Sequence, residues 1–270
     1  MPSPWVLLDA PLSTSAASAG TYDLARALRG TNLAQRLQAG DAGALGPGPA
    51  PDALARKVGD LVDAGERPLV LGGDCSVALA SAVLMERGRF ALAYIDAHSD
   101  FCHAGNLEPQ PATARTELAE LTGRGDDRAT FRDEDVALIG IRRDDPAFHE
   151  LRRTKLLLWP MFWLYEHSRE ELDQSLLRRF AREEIDGIWV HVDADALDPS
   201  LVGAVPYPLS DGLAGPELGA ILRTLNATGK VTAMSIANLD SSRDPDGRQA
   251  SLLADIIVDS LGLPAGGIAP

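Results

Sequence analysis

The chain has 270 residues, 45% of them hydrophobic and 24% charged, with a formal net charge of −14 and a sequence pI of about 4.7. That acidic balance argues against a general nucleic-acid or anionic-membrane binder, because no basic patch would offset phosphate repulsion. No uninterrupted apolar stretch is long enough to span a bilayer, residues 5–8 are too short for the apolar core of a secretion leader, and two cysteines do not make a disulfide framework. A cytoplasmic protein folded as a single domain over residues 1–270 is the expectation.

In chain order, apolar β-type runs alternate with helix-like stretches. A strand is expected over 5–8, a helix over 21–29, a Gly/Pro-rich surface loop over 42–51 and a helix over 52–64. A strand over 68–71, a helix over 77–87 and a strand over 90–95 follow. Further strands are expected over 136–141, 188–192 and 231–236, and further helices over 168–182, 216–226 and 249–261. The tail 264–270 is expected to fray. Pro216 after Gly215 suits a first helical turn, and Glu217 suits the positive end of that helix. Residues 156–165 hold two of the four tryptophans, which reads as core or subunit contact. Continuous apolar strands alternating with helices predict an α/β fold: a three-layer αβα sandwich around a mostly parallel sheet.

Two strand ends carry chemistry. The run 90–100 ends in Asp96-Ala97-His98-Ser99-Asp100, and the run 187–195 ends in Asp193-Ala194-Asp195. Alternate residues of an extended chain point to one side, so the acids and the imidazole converge. Carboxylate and imidazole donors suit Mn, Zn, Fe or Ni, and several shared carboxylates suit a pair of ions. A third strand end, Leu71-Gly72-Gly73-Asp74-Cys75-Ser76, turns tightly on its glycines. Ligands of open α/β sheets sit at such ends. Cys75 is either a thiolate ligand for a softer metal or a small buried thiol. A Cys75–Cys102 disulfide is disfavoured in a reducing cytoplasm. Asp198, before Pro199, reads as a turn residue, and His191 as a packed histidine behind the site rather than a ligand. His103, close to this cluster in sequence, is a further candidate for proton transfer.

With these motifs the chain resembles the ureohydrolase family of arginases, agmatinases and formimidoylglutamases. That family carries Gly-Gly-Asp-His, Asp-Ala-His-x-Asp and Asp-x-Asp-x-x-Asp-Pro motifs. Here they read Gly72-Gly73-Asp74-Cys75, Asp96-Ala97-His98-Ser99-Asp100 and Asp193-Ala194-Asp195-Ala196-Leu197-Asp198-Pro199, in the same order. The resemblance implies a binuclear metal centre, usually manganese, and a hydroxide that attacks a guanidinium or amidine carbon. Asp96, His98, Asp100, Asp193 and Asp195 match five of the six family ligands, and Cys75 stands where the sixth, a histidine, belongs.

Two further departures concern substrate. The family's Gly-Asn-Leu-His reads Gly105-Asn106-Leu107-Glu108 here, and its glutamate after the last strand aligns with Ala237. Asp100 and Glu108 are then the expected catalytic residues, Glu108 moving protons as the family's histidine does. Asn106 and Asp145 are the expected substrate contacts. The expected activity is metal-dependent hydrolysis of a C–N bond in a small linear amidine or guanidine, by a protein that forms a homo-oligomer. The alternative is an inert family member that binds a small molecule or acts as a partner subunit. Cys75, Glu108 and Ala237 favour that alternative, and the five retained ligands oppose it.

Overall fold

The computed structural model describes residues 4–13, 16–46, 51–106, 115–124 and 131–262. Among the described residues eight strands form one sheet: β1 (Trp5–Ala10), β2 (Gly40–Ala44), β3 (Arg67–Gly72), β4 (Phe90–Ile95), β5 (Val136–Ile139), β6 (Leu157–Trp159), β7 (Gly187–Asp193) and β8 (Val231–Ala237). Their order is β2-β1-β3-β8-β7-β4-β5-β6, and every neighbouring pair is parallel.

The central strands are buried at every position in β4 and β7. Their alternating side chains feed two apolar layers. Ala91, Ala93 and Ile95 face one layer with Leu7, Leu69 and Val190. Phe90, Leu92 and Tyr94 face the other with Val6, Val70 and Trp189. The first layer is closed by helices Leu24–Gly30, Arg169–Phe180, Gly215–Ala227 and Arg248–Leu261. The second is closed by helix Pro51–Asp63, the 3-10 stretch Cys75–Glu86 and the short helix Glu117–Leu121. Each fully buried Leu or Ile contributes roughly 1.5–3 kcal/mol. The three-layer αβα sandwich is the expected one.

Two helix starts are capped by local side chains, and the one at Glu217 is where it was expected. Ser168 and Glu171 form a capping box at the start of helix Arg169–Phe180. Glu217 accepts the Ala214 amide at 2.7 Å at the start of helix Gly215–Ala227.

Three differences have physical causes. β2 falls partly inside the stretch expected as loop; its sequence Gly-Asp-Ala-Gly-Ala is mostly exposed and has no apolar alternation, so only pairing with β1 makes it a strand. β6 has three residues, too short for a periodic signal. Residues 75–86 wind as a 3-10 rather than an α-helix, with most positions buried. The rest of the 42–51 loop reaches residues 47–50, and the tail 264–270 lies wholly outside the described residues. Among the described residues no helix is long and apolar enough to cross a membrane.

One consequence of the strand order matters most for function. β3, β8, β7 and β4 stand side by side, so their carboxyl ends meet at one edge of the sheet.

Candidate metal centre

Ile95 pairs with Val192, so Asp96 and Asp193 stand one residue beyond paired positions on neighbouring strands. Asp193 in turn pairs with Ala237 of β8. β3 reaches the same edge through a turn that only glycine allows at Gly73. A Cβ there would sit 1.9 Å from the Leu12 carbonyl oxygen. That close approach lets the Asp74 amide bond Leu12 O at 3.0 Å and the Asn238 amide bond Gly73 O at 2.8 Å. Cys75 is thereby delivered to the edge, with its Sγ donating to Asp193 Oδ2 at 2.8 Å and lying 3.7 Å from Asp96 Oδ2.

Two groups of ligand-type side chains result, each with donor atoms within 4.8 Å of one another. The deeper group is Cys75, Asp96, His191 and Asp193, all buried. The outer group is Asp96, His98 and Asp195, in which only His98 is partly exposed. Asp96 belongs to both. His98 Nδ1 meets Asp195 Oδ2 at 3.1 Å, and its backbone amide bonds Asp96 Oδ1 at 2.7 Å. The Asp195 amide bonds Asp193 Oδ1 at 2.8 Å. Asp100 stands in neither group. It takes a left-handed φ of 46°, and its Oδ2 accepts the Tyr94 hydroxyl at 2.6 Å.

The electrostatics describe a site short of positive charge. Burial, then repulsion from Asp195, raises the Asp96 carboxyl to about 6. Burial and neighbouring acids push Asp100 and Asp193 well above the usual carboxylate range. Burial alone would lower the His98 imidazolium, but its bonds to Asp195 and Asp96 win and push it up to about 12. A protonated His98 thus stands in for a cation. Among the described residues Asp100 and Asp193 form no ion pair. Clustered buried carboxylates with so little compensation, plus an imidazole nitrogen on His191 that has no partner among the described residues, are the donor chemistry that fits divalent metal.

The remaining residues singled out from the sequence fall as follows. Asp145 accepts the Ser99 amide and hydroxyl at 2.9 and 2.8 Å and the Ala147 amide at 2.9 Å, so it ties its own loop to the one after β4. Asn106 donates to Phe101 O and Glu150 Oε2, both at 2.8 Å, and accepts the His103 amide. His103 pairs with Glu150 at 3.0 Å. Asp198 accepts the Ser200 and Gly212 amides, as a turn residue does. Cys75 and Cys102 are both free thiols. Glu108 lies outside the described residues.

Sequence reasoning passed over two groups at this edge and undervalued a third. Asn238, in a left-handed conformation with φ 62°, points its amide at both Cys75 Sγ, at 3.2 Å, and Asp193 Oδ2. Its only signal was a polar residue just after a strand. Glu117 is 2% exposed, and burial followed by repulsion from Asp100 and Asp74 raises its carboxyl well above the ordinary range. It lies on a short helix with no periodic pattern. His191, read as a packed residue behind the site, is fully buried, and one of its ring nitrogens also lies within reach of the deeper ligand group.

Residues 10–262 match the family model described as Arginase family. The arginase of Brucella melitensis is 31% identical over 210 residues, covering 72% of this chain and 68% of that protein. The crystal structure of arginase from Bacillus subtilis superposes with a TM-score of 0.87 at 20% identity, covering 98% of this chain and 100% of that one. The formimidoylglutamase from Bacillus subtilis superposes with a TM-score of 0.80 at 20% identity, over 96% of this chain and 86% of that one. These last two likenesses show the fold, which proteins of different named activity share.

Proposed function

The chain belongs to the arginase family of hydrolases, and from that premise we propose that it hydrolyses a C–N bond of a small linear amidine or guanidine with a pair of divalent ions at the sheet edge. One observation carries the proposal: two ligand groups sharing Asp96 at the carboxyl ends of β3, β7 and β4, where only β8 stands between β3 and β7. Cys75, Asp96, His98, Asp100, Asp193 and Asp195 are the residues that would hold the ions, with manganese the family's usual metal. When bound, such ions supply a nucleophilic water at neutral pH and polarise the carbon under attack.

The chain's own residues do the rest. Asp100, oriented by Tyr94, accepts a proton from the attacking water. Glu108 carries a proton to the departing nitrogen. Asn106 and Asp145 are the substrate contacts in this reading, and Asp145 also fixes Ser99 between His98 and Asp100. The acidic molecule, with a net charge of −14, attracts a cationic amidinium or guanidinium.

Ala237 sets the substrate preference. It is fully buried and offers no carboxylate where the family grips the guanidinium, a loss on the order of several kcal/mol of transition-state stabilisation. Free arginine and agmatine are therefore expected to be poor substrates. The test is release of urea or amine from arginine, agmatine, formimidoyl amino acids and guanidino acids, using metal-loaded protein. Hydrolysis of one amidine class, lost with the metal in Asp96→Ala and Asp193→Ala, supports the proposal. Arginine turnover above about 10 per second, a typical enzyme value, would contradict the role given to Ala237. Metal-loaded protein inert on the whole panel would sink the hydrolase reading.

A further inference from the structure

We infer that Cys75 and His191 together make the deeper group a mixed sulfur, nitrogen and oxygen site that takes a borderline ion such as Zn(II) or Co(II) in preference to Mn(II). This deepens the reading above by naming the metal class of one half of the centre, and it adds a ligand that the family's motifs do not include.

The first observation is position. His191 lies two residues before Asp193 on β7, hence on the same side of the strand. An imidazole nitrogen of His191, Cys75 Sγ and carboxylate oxygens of Asp96 and Asp193 all lie within 4.8 Å of one another.

The second is an unpartnered polar atom. His191 is fully buried, and its Nε2 has no hydrogen-bond partner among the described residues. A buried polar atom left alone costs free energy unless something fills the gap. Its other nitrogen is already engaged: Nδ1 lies 2.8 Å from Ser235 Oγ, which also accepts Trp189 Nε1–H at 3.0 Å. In the tautomer whose Nδ1–H donates to Ser235 Oγ, that oxygen has lone pairs for both N–H groups and the Nε2 lone pair is left free for a metal. Metal-binding histidines are held in the same way, by a hydrogen bond to the nitrogen that does not bind.

The third is the company Cys75 keeps. Asn238 Nδ2 donates to its sulfur at 3.2 Å, and the thiol itself donates to Asp193 Oδ2 at 2.8 Å, so the sulfur is held inside the group as a thiol until a metal displaces its proton. On metal binding the S–H bond breaks, a metal–sulfur bond forms, and the proton leaves to solvent. One thiolate, one imidazole and two carboxylates form a four-donor set that suits Zn(II), while Mn(II) prefers oxygen donors and sits lowest in the affinity order of divalent first-row metals. The outer group, Asp96, His98 and Asp195, has no sulfur and remains suited to Mn(II).

The experiment strips the full-length protein with chelator and reloads it with Zn(II), Mn(II) or Co(II) alone. Calorimetry should resolve one site tighter for Zn(II) than for Mn(II) by roughly tenfold or more. Co(II) protein should show an intense near-ultraviolet sulfur-to-cobalt absorption band, absent in Cys75→Ser with the fold intact by circular dichroism. His191→Gln should keep that band, shift the visible cobalt bands and weaken Zn(II) by more than about 10–100-fold, the cost of losing a mere neighbour of a ligand. Ser235→Ala, which leaves every donor in place, should weaken Zn(II) less than His191→Gln does. Cobalt bound without the sulfur band, equal affinity for Mn(II) and Zn(II), or unchanged Zn(II) affinity in a folded His191→Gln would overturn the inference. None of these readouts uses turnover, so an inert protein with the sulfur band overturns the hydrolase reading alone. An active, manganese-selective protein overturns the inference alone.

Discussion

Ala237 and Asn238 are adjacent in sequence and opposite in consequence. Ala237 is fully buried among Cys75, Tyr94 and Trp189 in the second apolar layer and pairs in register with Asp193. Restoring the family's carboxylate with Ala237→Glu would place another acid beside carboxylates already pushed up by mutual repulsion. The expected cost is roughly 3–5 kcal/mol, as for a buried charge without a partner, read as a lower melting temperature in metal-free buffer. If the variant instead keeps the parental melting temperature and gains arginine hydrolysis, the site has room for the carboxylate. Asn238 can take its left-handed backbone because a short polar side chain tolerates that region, and this turns its amide back onto the cluster.

Between elements, the opposite edge of the sheet is tied by charge. Asp135, just before β5 and with no exposed side-chain surface, accepts Arg89 Nε at 2.8 Å and also pairs with Arg182. Arg89 precedes β4, and Arg182 follows helix Arg169–Phe180, so one carboxylate joins three elements. Asp135→Ala leaves two partly buried guanidinium groups without that partner, and a loss of roughly 3–5 kcal/mol is expected in urea denaturation. Burial by itself raises the Asp135 carboxyl, but the hydrogen bonds from Arg89 and Arg182 win and hold it below the usual carboxylate range. A depressed folded pKa means stability that is present above the unfolded value of about 3.9 and lost as pH falls through the folded one. The stability gap between parent and Asp135→Asn should therefore be constant above about pH 5 and narrow below about pH 4. A gap unchanged across that range would show that Asp135 acts by shape alone.

For the whole molecule, the metal edge and the fold are thermodynamically linked. Asp96 is raised to about 6 by burial and by Asp195. A raised carboxyl contributes stability below its unfolded value that is lost as pH rises through about 6. Chelated protein should therefore lose stability between about pH 4 and pH 7 on account of this group. Divalent metal should reverse that loss, since it binds the ionised carboxylates. At 100 times the dissociation constant the expected stabilisation is about 2.7 kcal/mol, or about 5 °C for a chain of this size. The rise should be larger at pH 7.5 than at pH 5, where protons compete. Melting curves with and without chelator at both pH values check this, and an identical curve in all four conditions would rule out metal at the edge.

What the sequence by itself determined was set by short-range rules. Alternation and strand-end position marked Asp96, His98, Asp193 and Asp195, and apolar runs between helical stretches were enough for the parallel αβα sandwich. The turn at Gly73 was legible because glycine is the residue that admits such a close backbone approach. What only the tertiary structure decided depends on which strands are neighbours. Nothing local says that β8 inserts between β3 and β7, yet that order brings Asn238 to Cys75 and sets Ser235 beside His191. His191 looks like any buried strand residue until its two nitrogens can be told apart, one hydrogen-bonded and one without a partner among the described residues. Glu117 likewise becomes part of the site only when its helix folds against Asp100, whose carbonyl takes the Leu118 and Ala119 amides. Side-chain identity is written residue by residue, whereas a metal site is a property of distances across the sheet, and those follow from packing.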